Sequence, residues 1–454
     1  MAVTGLRRAP TLALVTISVP PVRRVVAWAA WDWGGAAFNA VITTFVFTVY
    51  LTSDLFVDPA LPAGSAAFRG AKADLSTRLG LWLAVAGLVV AVLAPVLGQR
   101  SDATGRRRRP LAIGTAVVVV AMLAMTLVRP TPSAFLAGVL LVAVGTIAYE
   151  VATVHYNAML PAVSTPRSIG RISAVGWAAG YLGGIVLLLL LYVTLIPQGP
   201  QLLHLPQADG LGVRLCALVC AVWAAVFAVP VLLAVPDERP AADLPRRGIL
   251  SAYRKLGADV AHLWRTDRPL LGFLVASAVF RDGLTGVFTF GAVIASTVFG
   301  FGFGQVLIFG VAANVVAGAS TLVSGRFDDR FGPKAVIVTA LTGLVITGLA
   351  VFLARGAGQG AFWICGLLLC VFVGPAQSAS RSLLARLAPP QRQGELFGLY
   401  ATTGRVATFL APALFAAFTG LAGDQAYGVL GIVAVLAAGL LLLLPIRTRA
   451  AVRA

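Results

Sequence analysis

Apolar runs of about twenty residues, separated by short polar intervals, recur from one end of the chain to the other, and a helix of that length crosses a bilayer's hydrocarbon core. No other feature constrains the fold as much. In hydrocarbon each backbone N–H and C=O must be satisfied within its own segment, so consecutive long apolar runs become helices. The expected spans are 25–51, 79–97, 111–128, 133–159, 169–196, 212–235, 270–299, 305–325, 335–354, 361–384, 396–421 and 426–444. The expected fold is therefore all-α, a membrane protein of about twelve transmembrane helices. With 59% of its 454 residues hydrophobic and 11% charged, the chain has no stretch left for a soluble domain.

The longest polar interval, 236–269, carries Arg246, Arg247, Arg254, Lys255, Arg265 and Arg268 and divides the spans into two sets of six. The expected organisation is a tail (1–24), a six-helix bundle (25–235), a central loop (236–269), a second six-helix bundle (270–446) and a short tail (447–454). The apolar patch 11–19 looks like a signal segment but lacks a small-residue cleavage site, so it is expected to be retained in the first tail. Of the 35 Lys and Arg, about 27 fall on the side of the termini and central loop and about six opposite. Two, Arg281 and Arg405, are taken as lying within spans. From that bias both termini are expected in the cytoplasm, and the expected location is the plasma (inner) membrane. It also accounts for the net charge of +18 without nucleic acid, because the basic residues sit in short loops rather than on one face. Cys216, Cys220, Cys365 and Cys370 lie in apolar spans without the histidines or acids of a zinc site, and they read as packing residues. No metal or cofactor is expected.

Two loops repeat a pattern. After the second span come Gly98, Asp102 and Gly105, then Arg106 and Arg107 at the head of a basic run. After the eighth come Gly325, Asp329 and Gly332, then Pro333 and Lys334. The same spacing at equivalent places in both halves is expected of a transporter built from parallel repeats, with two bundles flanking a central path.

These loops resemble motif A of the major facilitator superfamily, the first fully and the second in its Gly, Asp and Gly skeleton. The resemblance implies that the aspartate caps a neighbouring helix and belongs to an ionic latch between the halves. Further segments resemble the branch typified by the autophagy-related vacuolar amino-acid effluxer and its bacterial relatives. These are Trp28, Trp31, Asp32 and Trp33 with Ala37 and Phe38; Tyr156 to Pro161; Phe280 to Gly283; Gln377 to Arg386; and Glu395 to Tyr400. Gly34, Gly35 and Arg281 depart from that pattern beside the candidate site. The resemblance implies the major facilitator fold and amino-acid efflux.

A charged group deep in hydrocarbon costs about 2.5–3.5 kcal/mol on insertion scales, so each must face a partner or a wet cavity. The candidates for substrate binding or coupling are Asp32, Asn39, Tyr149, Glu150, His155, Arg281, Asp282, Asn314, Gln377 and Arg405. Asp32 and Asn39 are two helical turns apart and are expected on one face. Asp32 either serves a gate or caps a helix start, and Asn39 either touches substrate or bonds between helices. Glu150 either titrates during transport or pairs helices through Arg405 or Arg281. His155 is either a partner of Glu150 through water or a satisfied interfacial histidine. Asp282 matches Asp32 by internal symmetry, and Asp32 with Arg281 is the expected cross-half gate. Gly176, Gly180 and Gly184 recur every four residues, which permits close helix approach.

With no nucleotide-binding loop, the expected function is a secondary transporter of a small organic solute. An amino acid or related metabolite, moved outward by alternating access with protons as a possible coupling ion, is the leading expectation. A multidrug or amphipathic-metabolite exporter of the same fold and a non-transporting receptor or scaffold are the alternatives. An enzyme is not expected, because no nucleophile, base or metal set converges. The expected partners are a small-molecule substrate and the lipid bilayer, with the protein a monomer.

Overall fold

The computed structural model describes residues 21–196, 202–203, 208–237, 261, 264–265 and 267–446. The tails before residue 21 and after residue 446, and most of the central loop, lie outside the described residues. Twelve helices are long and apolar enough to cross a membrane. We number them α1 (Val22–Leu51), α2 (Ala66–Thr104), α3 (Arg108–Met125), α4 (Pro132–Ala158), α5 (Ile169–Thr194), α6 (Leu211–Ala234), α7 (Arg268–Thr297), α8 (Ile308–Phe331), α9 (Pro333–Leu353), α10 (Gln359–Leu387), α11 (Pro390–Ala422) and α12 (Gln425–Leu443). Helices α1–α6 pack on one another, as do α7–α12, giving two six-helix bundles that also pack closely together.

Three helices depart from what hydropathy marks. The second begins well before residue 79, because Ser65 caps it by accepting from the Phe68 N–H at 3.0 Å and its first turns are polar. There Lys72 pairs with Asp54 and Arg78 with Asp74. Residues Ala37–Val46 of α1 form a π-helix, whose wider turns break the 3.6-residue register on which a shared Asp32–Asn39 face rests. The eleventh helix is interrupted after Ala407 and resumes as Leu410–Ala422, with Pro412 in the first turn of the new segment. Pro95, by contrast, lies within an unbroken α2. Its ring leaves the Ala91 carbonyl without its usual donor, and the Thr402 hydroxyl of α11 donates to that carbonyl at 2.8 Å.

The halves meet through α2 with the first part of α11, and through α5 with α8 and α10. The far segment of α11 and the π-helical part of α1 pack on helices of their own halves. The two bundles are thus joined at the end carrying the repeated loops and parted at the other. We call the joined side the motif end.

Candidate functional site

The motif end is locked by two equivalent caps. Asp102 accepts the backbone N–H groups of Gly394 (2.9 Å) and Glu395 (2.8 Å), which open the first segment of α11. These are orphan donors of a helix start, and a carboxylate there also meets the positive end of the helix dipole. Arg107 donates to Asp102 (3.1 Å), to the Ala158 carbonyl (2.7 Å) and to the Pro390 carbonyl (3.3 Å), so it ties together both halves. Gly98 is required by contact: a Cβ there would sit 2.0 Å from the Gly394 carbonyl oxygen. Gly105 ends α2 in the left-handed region, at φ 64°. Arg106 is exposed.

In the second copy Asp329 accepts from the backbone N–H groups of Gly170 (2.8 Å) and Arg171 (3.2 Å), at the start of α5. Arg386 bridges Asp329 and Asp328, each at 3.1 Å, and Asp328 accepts from the Ser382 hydroxyl. Gly325 packs on α5 so closely that a Cβ would lie 2.8 Å from the Arg171 Cα, and Gly332 has φ 88°. The duplicated spacing in sequence is thus a duplicated contact in space.

Above the caps lies an ion pair between the halves. Arg381 of α10 donates to Asp32 of α1 at 3.2 Å, and the Tyr156 hydroxyl donates to the same carboxylate oxygen at 2.8 Å. Arg381 also donates to Asn157 (3.2 Å), to the Ser173 hydroxyl (3.0 Å) and to the Ser173 carbonyl (2.5 Å). Its guanidinium is flanked by the rings of Trp28 (5.0 Å), Trp177 (5.6 Å) and Tyr156 (5.8 Å). The side chains of Arg381 and Asp32 are 4% and 17% exposed, so the charges are compensated by each other, by hydrogen bonds and by π faces rather than by water. Gly176 makes room for this cluster: a Cβ there would fall 2.7 Å from both Arg381 and Trp28. Gly180 and Gly184 continue the close approach of α5 to α1.

A second pair lies nearer the open end. Arg405 of α11 is bonded to Glu150 of α4, with side chains 27% and 26% exposed. Both pairs take the acid from the first half and the base from the second.

The expected pairing of Asp32 with Arg281 is corrected. Arg281 stays within its own half, where it donates to the Tyr400 carbonyl at 2.9 Å and lies over the Tyr400 ring at 3.8 Å. Arg381 reaches Asp32 instead, because α10 packs along α5 beside Ser173 and Gly176. Asp282 is also corrected as a gate equivalent of Asp32. It is buried and accepts from the Ala411 N–H at 2.6 Å, capping the resumed segment of α11. Asn39 is exposed, unlike Asp32, and the Thr43 hydroxyl donates to its carbonyl at 2.6 Å. Glu150 is joined to Arg405 rather than to His155. The His155 ring is buried, and neither nitrogen has a hydrogen-bond partner among the described residues.

Tyr149 is half-buried between the rings of Trp31 (5.6 Å) and Phe38 (5.8 Å). Gln377 approaches the Tyr181 hydroxyl at 3.4 Å across the halves, and Asn314 donates to the Gly310 carbonyl of its own helix at 2.8 Å. The residues that the sequence reading leaves out of the site are Arg381, Tyr156, Asn157, Ser173, Asp328 and Arg386. Arg381 falls inside the expected tenth span, and recognising it there as an intramembrane charge would have marked it.

The family described as "Vacuole effluxer Atg22 like" matches residues 22–169 and 163–454. An uncharacterized MFS-type transporter, YxiO, of Bacillus subtilis (strain 168) is 26% identical over 422 residues, covering 92% of this chain and 93% of that protein. Autophagy-related protein 22 of Cryptococcus neoformans var. neoformans serotype D (strain B-3501A) is 26% identical over 61% of this chain, which spans 51% of the fungal protein. Among solved structures, the proton:xylose symporter XylE bound to 6-bromo-6-deoxy-D-glucose has a TM-score of 0.70 at 14% identity, covering 92% of this chain and 94% of that one. The human organic anion transporter MFSD10 (TETRAN) has a TM-score of 0.70 at 17% identity, covering 93% and 100%. These structural likenesses carry the fold. A family match running from the first membrane helix to the last residue carries more: the chain belongs to the vacuole effluxer Atg22-like family of major facilitator transporters.

Proposed function

We propose that this transporter moves a small organic solute, an amino acid or related metabolite, out of the cytoplasm by rocking its two bundles about the cleft that holds Glu150 and Arg405. The loop charges favour cytoplasmic termini, and the plasma membrane is the proposed location. In that orientation the structure is sealed on the cytoplasmic side and open outward. The observation that carries the reading is the pair of ion bridges between halves, Asp32 with Arg381 and Glu150 with Arg405. Such contacts must break and re-form if the halves exchange which end is joined, and a solute bearing complementary charges can take their place. Glu150 is the proposed site of proton coupling, since release of Arg405 leaves its carboxylate free to accept a proton.

Counterflow of radiolabelled amino acids in proteoliposomes, with and without an imposed proton gradient, tests this. We expect saturable exchange that a gradient accelerates in the wild type, and that Glu150→Gln makes insensitive to the gradient. Gradient stimulation that persists in Glu150→Gln would remove Glu150 from coupling, and absence of exchange for every amino acid would remove the proposed substrate class.

A further inference from the structure

The charge balance of the cleft carries one step more. Asp32 offsets Arg381, and Glu150 offsets Arg405. Arg281 on α7 is different. Its contacts are the Tyr400 carbonyl and the Tyr400 ring, and among the described residues no carboxylate bonds to it. Its sequence neighbour Asp282 is turned away onto the Ala411 N–H. A guanidinium is a permanent cation, and it is met best by a carboxylate that accepts two of its N–H groups at once. A carbonyl dipole and a π face lower the cost of holding it in a membrane, yet they leave the formal charge in place and donors of the guanidinium unused.

Its position gives that charge a use. The Arg281 side chain lies against Gly404, where a Cβ would come within 3.1 Å of its Nη1, and Gly404 adjoins Arg405, the residue that reaches Glu150. Two guanidinium groups and one carboxylate therefore border residues 400–405 of α11, a formal sum of +1 there, while the Asp282 carboxylate is spent on the resumed helix start at Ala411. The side chain of Arg281 is half-buried, as is that of Gly404's neighbour Arg405.

We infer that Arg281 anchors a carboxylate of the transported solute, and that the cleft selects carboxylate-bearing solutes of net charge −1. An acidic amino acid meets this balance: one carboxylate on Arg281, the other on Arg405, and the ammonium on Glu150. A simple monocarboxylate meets it on Arg281 alone, with the Glu150–Arg405 bridge intact. The inference rests on the reading of this cleft as the transport path.

The test uses the full chain purified in detergent and titrated with L-glutamate and L-lactate (net −1), L-glutamine and L-leucine (net zero) and L-lysine (net +1). Binding is read as thermal stabilisation. At least one anion should bind about tenfold or more tightly than every neutral or cationic member. Arg281→Gln should lower the ratio of anion to L-glutamine affinity by about tenfold, and Arg281→Lys should preserve most of it. This ratio is measured within each variant, so a change in the amount of folded protein does not imitate the effect. Equal binding of neutral solutes by the wild type, failure of both anions to bind, or an unchanged ratio in Arg281→Gln overturns the inference. Counterflow separates this from the broader reading. Exchange of neutral amino acids without anion preference leaves the transporter path standing and removes the charge selection, whereas anion binding without exchange of any panel member removes the transport path instead.

Discussion

Asp32 shows how a charge is held in the membrane interior. Its carboxylate receives Arg381 and Tyr156, while Arg381 spends its remaining donors on Asn157 and Ser173. Removing one partner leaves the other buried and uncompensated, which for buried pairs costs about 3–5 kcal/mol. We therefore expect Asp32→Asn and Arg381→Gln each to lower thermal stability in detergent, and the double variant to lose less than the two losses added, by about 1 kcal/mol or more. Additive losses would show that the contact is incidental. His155 offers a contrast at the same scale, because its ring is buried without a hydrogen-bond partner among the described residues.

Individual helices carry their own irregularities, and these decide what nearby side chains can do. The break in α11 exposes a helix start inside the second bundle, and Asp282 satisfies one of its N–H groups. Loss of such a cap costs about 0.5–2 kcal/mol. Asp282→Ala should accordingly lower the melting temperature while leaving solute preference and gradient dependence unchanged. A changed preference with unchanged stability would return Asp282 to the transport path. The π-helical stretch of α1 breaks the register between two polar residues, leaving Asn39 exposed while Asp32 points at α5 and α10.

For the whole molecule, the two caps at the motif end hold one arrangement of the halves. Hydrogen bonds to a charged group contribute about 1.5–3 kcal/mol against roughly 1 for neutral ones. Asp102→Asn weakens its bonds to α11 and to Arg107, so it should shift the balance toward the arrangement open at the motif end by about tenfold or more. Spin labels at Thr131 and Arg355, in the far-end loops of the two halves, would report this as a growing population of shorter distances. A distribution identical to that of the parent protein would show that the Asp102 cap does not hold the closed state.

The membrane fold was legible because hydrocarbon leaves the backbone so few choices: long apolar runs must be helices, and their number and the central polar interval follow from a count along the chain. The two loop latches were legible as well, since Gly98, Asp102 and Gly105 and their counterparts Gly325, Asp329 and Gly332 repeat at one spacing, and close backbone approach and helix capping depend on those residue types. The partners of the intramembrane charges were not. Asp32 and Arg381 are 349 residues apart, and which arginine arrives depends on how one bundle is rotated against the other. Helical periodicity describes one helix at a time, and it fails where α1 widens or α11 breaks. Only the packing of the bundles decided that Arg381 completes the Asp32 pair, that Arg405 meets Glu150, and that Arg281 is left with a carbonyl and a ring.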